Sequence, residues 1–140
     1  MSITEIKSRE EIEVLVHRFY DKIRDDALLG PIFNSHIPDE DWPAHLVKLT
    51  DFWETNLMGV RKFKGSPSQK HIEVDKNLNY KTNQVHFGKW LQLWFETIDE
   101  LYVGDLADKA KRAARKMATG QFLVMWRNRP EQKKTMIAKK

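Results

Sequence analysis

Cysteine is absent from the 140 residues, which excludes disulfides and thiolate zinc or iron–sulfur sites and leaves metal chemistry to nitrogen and oxygen ligands. No apolar run approaches the roughly 20 residues needed to span a bilayer. The N-terminus, Met1-Ser2-Ile3-Thr4-Glu5-Ile6-Lys7, lacks the basic flank and apolar core of a secretory signal. A soluble, cytoplasmic protein with no membrane partner is expected. No segment alternates polar and apolar residues as a half-buried strand does, and no internal repeat occurs. Neither His-Glu-x-x-His nor paired Glu-x-x-His is present, which disfavours a histidine-based zinc or di-iron bundle.

What is present suits one core. At 41% hydrophobic residues the chain can bury a single interior and is too short for two ordinary domains. The net charge of +4 and pI of about 9.3 raise a polyanion as partner. The excess sits in Lys109, Lys111, Arg112, Arg115 and Lys116 and in Arg127, Arg129, Lys133, Lys134, Lys139 and Lys140, the pattern of a solvated helix face followed by a tail. That tail has no interleaved aromatics for base stacking, so a nucleic-acid partner is not expected. The division read here is a folded domain over residues 1–128 and a flexible basic tail over 129–140.

The folded part reads as all-α. Ser8 and Glu11 form a capping box, and Ile12, Leu15, Val16, Phe19, Tyr20 and Ile23 recur at helical spacing behind them. Residues 25–34 are apolar but broken by Gly30-Pro31, which predicts a corner with Phe33 buried. Pro43 opens a second helix over residues 43–58, carrying Leu46, Leu49, Phe52, Trp53 and Leu57. Ser66-Pro67 starts a short helix with His71, and Thr82 is placed as the cap of a third long helix containing Phe87, Trp90, Leu91, Trp94, Phe95, Ile98 and Leu101. Gly104 ends it. A fourth helix over residues 105–127 turns Leu106, Ala110, Ala113, Ala114, Met117, Phe122 and Met125 inward, its small residues permitting close helix contact.

Four residues on these helices could carry chemistry. His45 lies one turn before Leu49, so its imidazole points where the apolar side chains point. His71 follows the Gly65-Ser66-Pro67 break. Tyr20 shares the inward face of the first helix, and Trp90 adds an indole donor on the third. Spacing alone leaves each with an ordinary alternative: a boundary histidine, a solvated histidine, a rim tyrosine and a packed tryptophan.

Their order in the chain is more specific. Phe19-Tyr20, then Leu29-Gly30-Pro31-Ile32-Phe33-Asn34, Trp42 with His45, Phe52-Trp53, His71, and His86-Phe87-Gly88-Lys89-Trp90-Leu91 closely resemble the third group of the truncated haemoglobins. The resemblance runs over residues 10–122. Two glycine-rich motifs of the other truncated groups are missing, as the third group requires.

The resemblance implies a shortened globin fold in which two antiparallel helix pairs cross, two over two, around haem b (iron protoporphyrin IX). It makes His71 the proximal iron ligand, Tyr20 and Trp90 the distal donors and His45 the distal histidine. Phe33 packs on the haem plane, Leu49, Phe52 and Trp53 close the distal wall, and Phe87 also lines the haem. Lys48, Arg61, Lys62 and Lys70 are candidate propionate partners. The implied ligands are oxygen, nitric oxide and carbon monoxide, with peroxide or cyanide beyond them. A diatomic ligand that gathers negative charge is held by donors beside it, as in an oxyanion hole. Tight binding points to nitric oxide dioxygenase or peroxidase-like chemistry fed by a separate reductase, since 140 residues leave no room for a flavin domain. Passive binding or sensing without turnover is the alternative, and a basic helical nucleic-acid-binding domain is the alternative of another class.

One spectrum separates these readings. The full chain mixed with haem is expected to give a Soret band, and His71→Ala to weaken haem retention or alter iron coordination. A salt-sensitive affinity for DNA with no Soret absorbance would instead establish the basic-domain reading.

Overall fold

The computed structural model describes residues 3–61 and 67–131. Among the described residues there are six α-helices: α1 (Arg9–Asp25), α2 (Gly30–His36), α3 (Trp42–Met58), α4 (Pro67–Asn77), α5 (Gln84–Leu101) and α6 (Asp105–Arg127). α1 pairs with α3 and α5 with α6, and the two pairs meet where α1 lies on α5 and α3 on α6. This is the two-over-two arrangement expected from the sequence. None of the described helices is long and apolar enough to cross a membrane.

Aromatic packing fixes the crossing. Trp53 of α3 stacks on Trp94 of α5 with ring centroids 4.4 Å apart, and Trp90, one turn earlier on α5, lies parallel to Trp94 at 6.1 Å. Phe19 of α1 meets both α5 tryptophans edge-on, at 5.5 and 4.8 Å. Such pairs each add about 0.5–1.5 kcal/mol beyond the area they bury. The Trp94 indole N–H is satisfied by the Ala110 carbonyl at 3.1 Å. That approach is possible because α6 turns Ala107, Ala110, Ala114 and Ala118 inward, all of them buried. Trp94 is therefore a core residue.

Other departures are local. The α1 capping box forms as read, with Glu11 Oε1 accepting from the Ser8 amide at 2.7 Å. The 25–34 corner contains a real helix, α2, and its Phe33 is half-buried instead of buried. Asn83, not Thr82, caps α5: Asn83 Oδ1 accepts from the Val85 amide at 2.9 Å, and its own amide donates to His86 Nδ1 at 3.1 Å. The Thr82 hydroxyl is instead buried without a hydrogen-bond partner, and its amide donates to Asp75 Oδ1 at 3.3 Å. α5 ends at Leu101, before Gly104, and two residues follow in extended form. Tyr102–Val103 (β2) pairs in parallel with Thr4–Glu5 (β1), a ladder too short to leave an alternating pattern in sequence. Gly104, at φ 102°, then turns the chain into α6.

Part of the basic surface is engaged internally. Lys111 pairs with Asp99 at 2.5 Å, Lys111 and Arg115 lie over the Phe95 ring, and Lys109 donates to the Leu57 carbonyl at 3.4 Å. Arg129, counted with the solvated tail, is 4% exposed and ion-paired to Asp75. Lys133, Lys134, Lys139 and Lys140 lie outside the described residues, as does Lys62.

Gly30 is required by contact. A Cβ there would stand 2.5 Å from the Arg24 carbonyl oxygen, whereas one at Gly120 on α6 would meet nothing within 4 Å. Gly30→Ala is expected to destabilise the chain by about 1–3 kcal/mol, as overpacking does. Gly120→Ala is expected to stabilise it by about 0.5–1 kcal/mol through backbone entropy. Urea unfolding of the two variants measures both.

Candidate functional site

α1 is covered by α3 and α5 together, so its inward face is wide enough to bury both Phe19 and Tyr20. Consecutive helical residues diverge by roughly 100°. Phe19 enters the aromatic crossing, while Tyr20 faces Phe33 of α2 and Trp42 of α3, each at 6.0 Å, and His45 of α3 at 6.3 Å. Phe19 and Tyr20 themselves touch edge-on at 4.7 Å. The phenol is held among aromatic rings at 5% exposure.

Burial pushes the Tyr20 hydroxyl up to about 12, and a hydrogen bond from the Trp90 side chain opposes the shift. An indole nitrogen has a single proton and no acceptor, so Trp90 gives its donor to the Tyr20 oxygen. Tyr20 is left with its own proton to offer. The two donors inferred from sequence as parallel arms thus stand in series.

His45 is half-buried, with its ring edge-on to Trp42 at 5.3 Å. Its other surroundings are an open depression lined by Ala44, Val47, Lys48 and Asp51. The imidazole therefore reaches solvent on one side and the Tyr20 ring on the other. Burial lowers its pKa first, and the Lys48 and Lys70 ammonium groups lower it further. Lys70 itself pairs weakly with Glu73 at 3.9 Å.

The second half of the site lies on α4 and α5. His71 is half-buried and meets the Phe87 ring at 5.7 Å, and Phe87 in turn meets Phe122 of α6 at 6.0 Å. Between the two halves, Phe33, Ile37, Leu46, Leu49, Phe52, Trp90 and Leu91 pack on the core while staying partly exposed. Trp53 differs from Leu49 and Phe52. At 1% exposure, with its face on Trp94, it belongs to the core.

These residues fit a haem on the chemistry of the donor set. An imidazole is a common haem-iron ligand, and His71 offers one beside the Phe87 ring. Half-covered apolar side chains from α2, α3 and α5 supply the apolar walls such a group needs.

Sequence reasoning left Trp42, Arg24 and Asn34 without roles. Arg24 lies 4.6 Å over the Trp42 ring and donates to Asn34 Oδ1 at 3.0 Å and Asp39 Oδ1 at 2.9 Å. Asn34 returns a bond to the Arg24 carbonyl at 3.2 Å, tying α2 to α1. Trp42 is 3% exposed and its indole nitrogen has no hydrogen-bond partner. Its spacing of three residues from His45 was the available signal.

No family model matches the chain. It is 32% identical over 114 residues to the group 3 truncated hemoglobin ctb of Campylobacter jejuni, a match covering 80% of this chain and 86% of that one. The crystal structure of a group III truncated hemoglobin from Campylobacter jejuni superposes with a TM-score of 0.79 at 29% identity, over 92% of this chain and 99% of the other.

The raised Tyr20 pKa carries a stability signature. Between about 10, the ordinary tyrosine value, and about 12 the unfolded chain releases this proton while the folded chain keeps it. Stability is fully present below the lower limit and is lost as pH rises through the window, by up to about 1.4 kcal/mol per pH unit. Urea unfolding across alkaline pH is expected to show this slope, and Tyr20→Phe to flatten it.

Proposed function

Because the chain belongs to the group III truncated haemoglobins, a family that implies a haem cofactor, we propose that it holds haem b through His71 and binds oxygen, nitric oxide or carbon monoxide beside Tyr20. The observation that carries this reading is the buried, protonated Tyr20 hydroxyl backed by Trp90 and faced by Phe33, Trp42 and His45. Haem held there would supply an iron able to bind a small ligand.

The chain's own residues do the rest. Tyr20 donates its proton to the ligand while its oxygen accepts from the Trp90 N–H, and a donor polarised in this way is strengthened by the bond behind it. The phenol is protonated at neutral pH, as its ordinary value of 10.0 already ensures, and burial disfavours the phenolate further. His45, with its pKa lowered, is a neutral imidazole there, able to donate or accept from its half-buried position. Phe33, Leu49 and Phe52 exclude water, which raises the value of each remaining hydrogen bond. On the opposite side, Phe87 supports the His71 ring. Lys48, Arg61 and Lys70 are exposed cations at hand for the propionates.

Tight retention suits a reaction vessel better than a carrier. We place the activity with nitric oxide oxidation or peroxide turnover, peroxide and cyanide being further ligands, with electrons from a separate reductase. Tyr20→Phe is expected to speed oxygen dissociation by about 10–150-fold, the equivalent of one charge-assisted hydrogen bond of roughly 1.5–3 kcal/mol. Trp90→Phe, which removes only the bond behind the donor, is expected to have a smaller effect. Stopped-flow ligand replacement measures both, and an unchanged rate in Tyr20→Phe refutes the donor assignment. Consumption of nitric oxide by the oxygenated wild type, slowed in Tyr20→Phe, tests the reaction. Its absence would leave passive ligand binding.

A further inference from the structure

α4 is held in an unusual way for a helix of a small core. Of its residues 69–77, only Asp75 is buried, at 2% exposure, while His71, Ile72 and Val74 are half-buried and the rest exposed or nearly so. An apolar stripe therefore does not dock it. What does is a charge: Asp75 Oδ2 accepts from Arg129 Nε at 2.8 Å and Asp75 Oδ1 from Arg129 NH2 at 2.9 Å, with both side chains almost fully enclosed.

The pair gathers the surrounding backbone. Arg129 also donates to the Thr82 carbonyl, and the Thr82 amide donates to Asp75 Oδ1. The Asp75 carbonyl accepts from the Tyr80 amide at 2.7 Å, closing the turn in which Asn79 and Tyr80 adopt positive φ. One guanidinium beyond the end of α6 thereby fixes the end of α4, the connection after it and the approach to α5.

Such a pair is a poor source of stability. Desolvating two ions offsets most of their attraction, and apolar residues of similar size commonly serve as well. Its particular property is direction. A planar fork on a carboxylate tolerates one register, whereas an apolar contact tolerates sliding. Asp75 follows His71 by four residues, so the two side chains share one face of α4, one turn apart. The His71 ring meets Phe87, and Phe87 meets Phe122, two turns before Arg129 along α6.

We infer that Arg129 is a positioning residue for His71: its fork on Asp75 sets the register of α4 against α5 and α6 and thereby the place of the imidazole. The inference rests on the proposed role of His71 as the iron ligand.

The test uses the full chain loaded with haem, comparing wild type, Arg129→Lys, the double variant Asp75→Leu/Arg129→Met, and His71→Ala. Three quantities are read: thermal stability without haem, the rate of haem loss to an apomyoglobin acceptor, and the iron–histidine stretching band of the ferrous form by resonance Raman. The double variant leaves no orphan charge and is expected to keep wild-type-like stability. It is expected to lose haem roughly 10–100-fold faster, the usual cost of removing a support behind a metal ligand, with a shifted and broadened iron–histidine band. Arg129→Lys keeps the charge without the fork and is expected to lie between. A folded double variant with wild-type haem loss and an unmoved band overturns the inference. If the double variant does not fold, Arg129→Lys decides, and its matching the wild type in both readouts overturns the inference equally. Survival of the iron–histidine band in His71→Ala overturns instead the assignment of the ligand, whatever the Arg129 variants do.

Discussion

The stacking of Trp53 on Trp94, with Phe19 edge-on against the same ring, is the contact on which the other helix placements depend. It joins one residue from each of α3, α5 and α1, so the angle between the helix pairs is set by rings that cannot slide without losing overlap. The Trp94 N–H on the Ala110 carbonyl extends the constraint to α6. Rigid aromatic surfaces lose few rotamers on burial, and close packing transmits their positions outward.

The site is a by-product of that crossing. Because Phe19 occupies the junction, Tyr20 must leave α1 about 100° around the helix axis, away from the junction and toward α2 and the start of α3. Trp90, one turn before Trp94 on α5, meets Phe19 edge-on and hydrogen-bonds Tyr20. A tyrosine placed by a loop could turn its hydroxyl to water. This one is fixed at both flanks, and burial keeps it protonated. The same crossing leaves Phe33, Leu49 and Phe52 on the core but incompletely covered, a surface that would be costly in a monomer with nothing to bind.

Much of this was legible. The α1 stripe, the proline start of α3 and the small inward residues of α6 each have a periodic or capping signature, and the helices stand where those signatures put them. The order of Tyr20, His45, His71 and Trp90 along the chain carried the family. What was not legible depended on partners distant in sequence. Thr82 has the chemistry of a cap, yet it is buried beside Asp75 with its hydroxyl unpaired, and Asn83 caps the helix. Nothing local says that the Trp90 side chain meets the Tyr20 oxygen. Arg129 looked like tail because a cation after a helix is ordinarily solvated, and the carboxylate that buries it lies 54 residues away. Two-residue strands are beyond any periodicity.

The contrast between α4 and the other long helices follows from what each must do with its apolar face. α1, α3, α5 and α6 spend theirs on the core. If α4 carries the iron ligand, the surface around His71 must be given to the cofactor, and little apolar surface is left for docking. An anchor for such a helix has to be small, placed at its end and directional, and an arginine fork on a buried carboxylate meets all three conditions. The price is a desolvated pair that adds little to stability. A fold under selection for stability alone would have placed an apolar residue at position 75. Burying Asp75 there, four residues beyond His71, makes sense where the position of a ring matters more than the free energy of holding the helix.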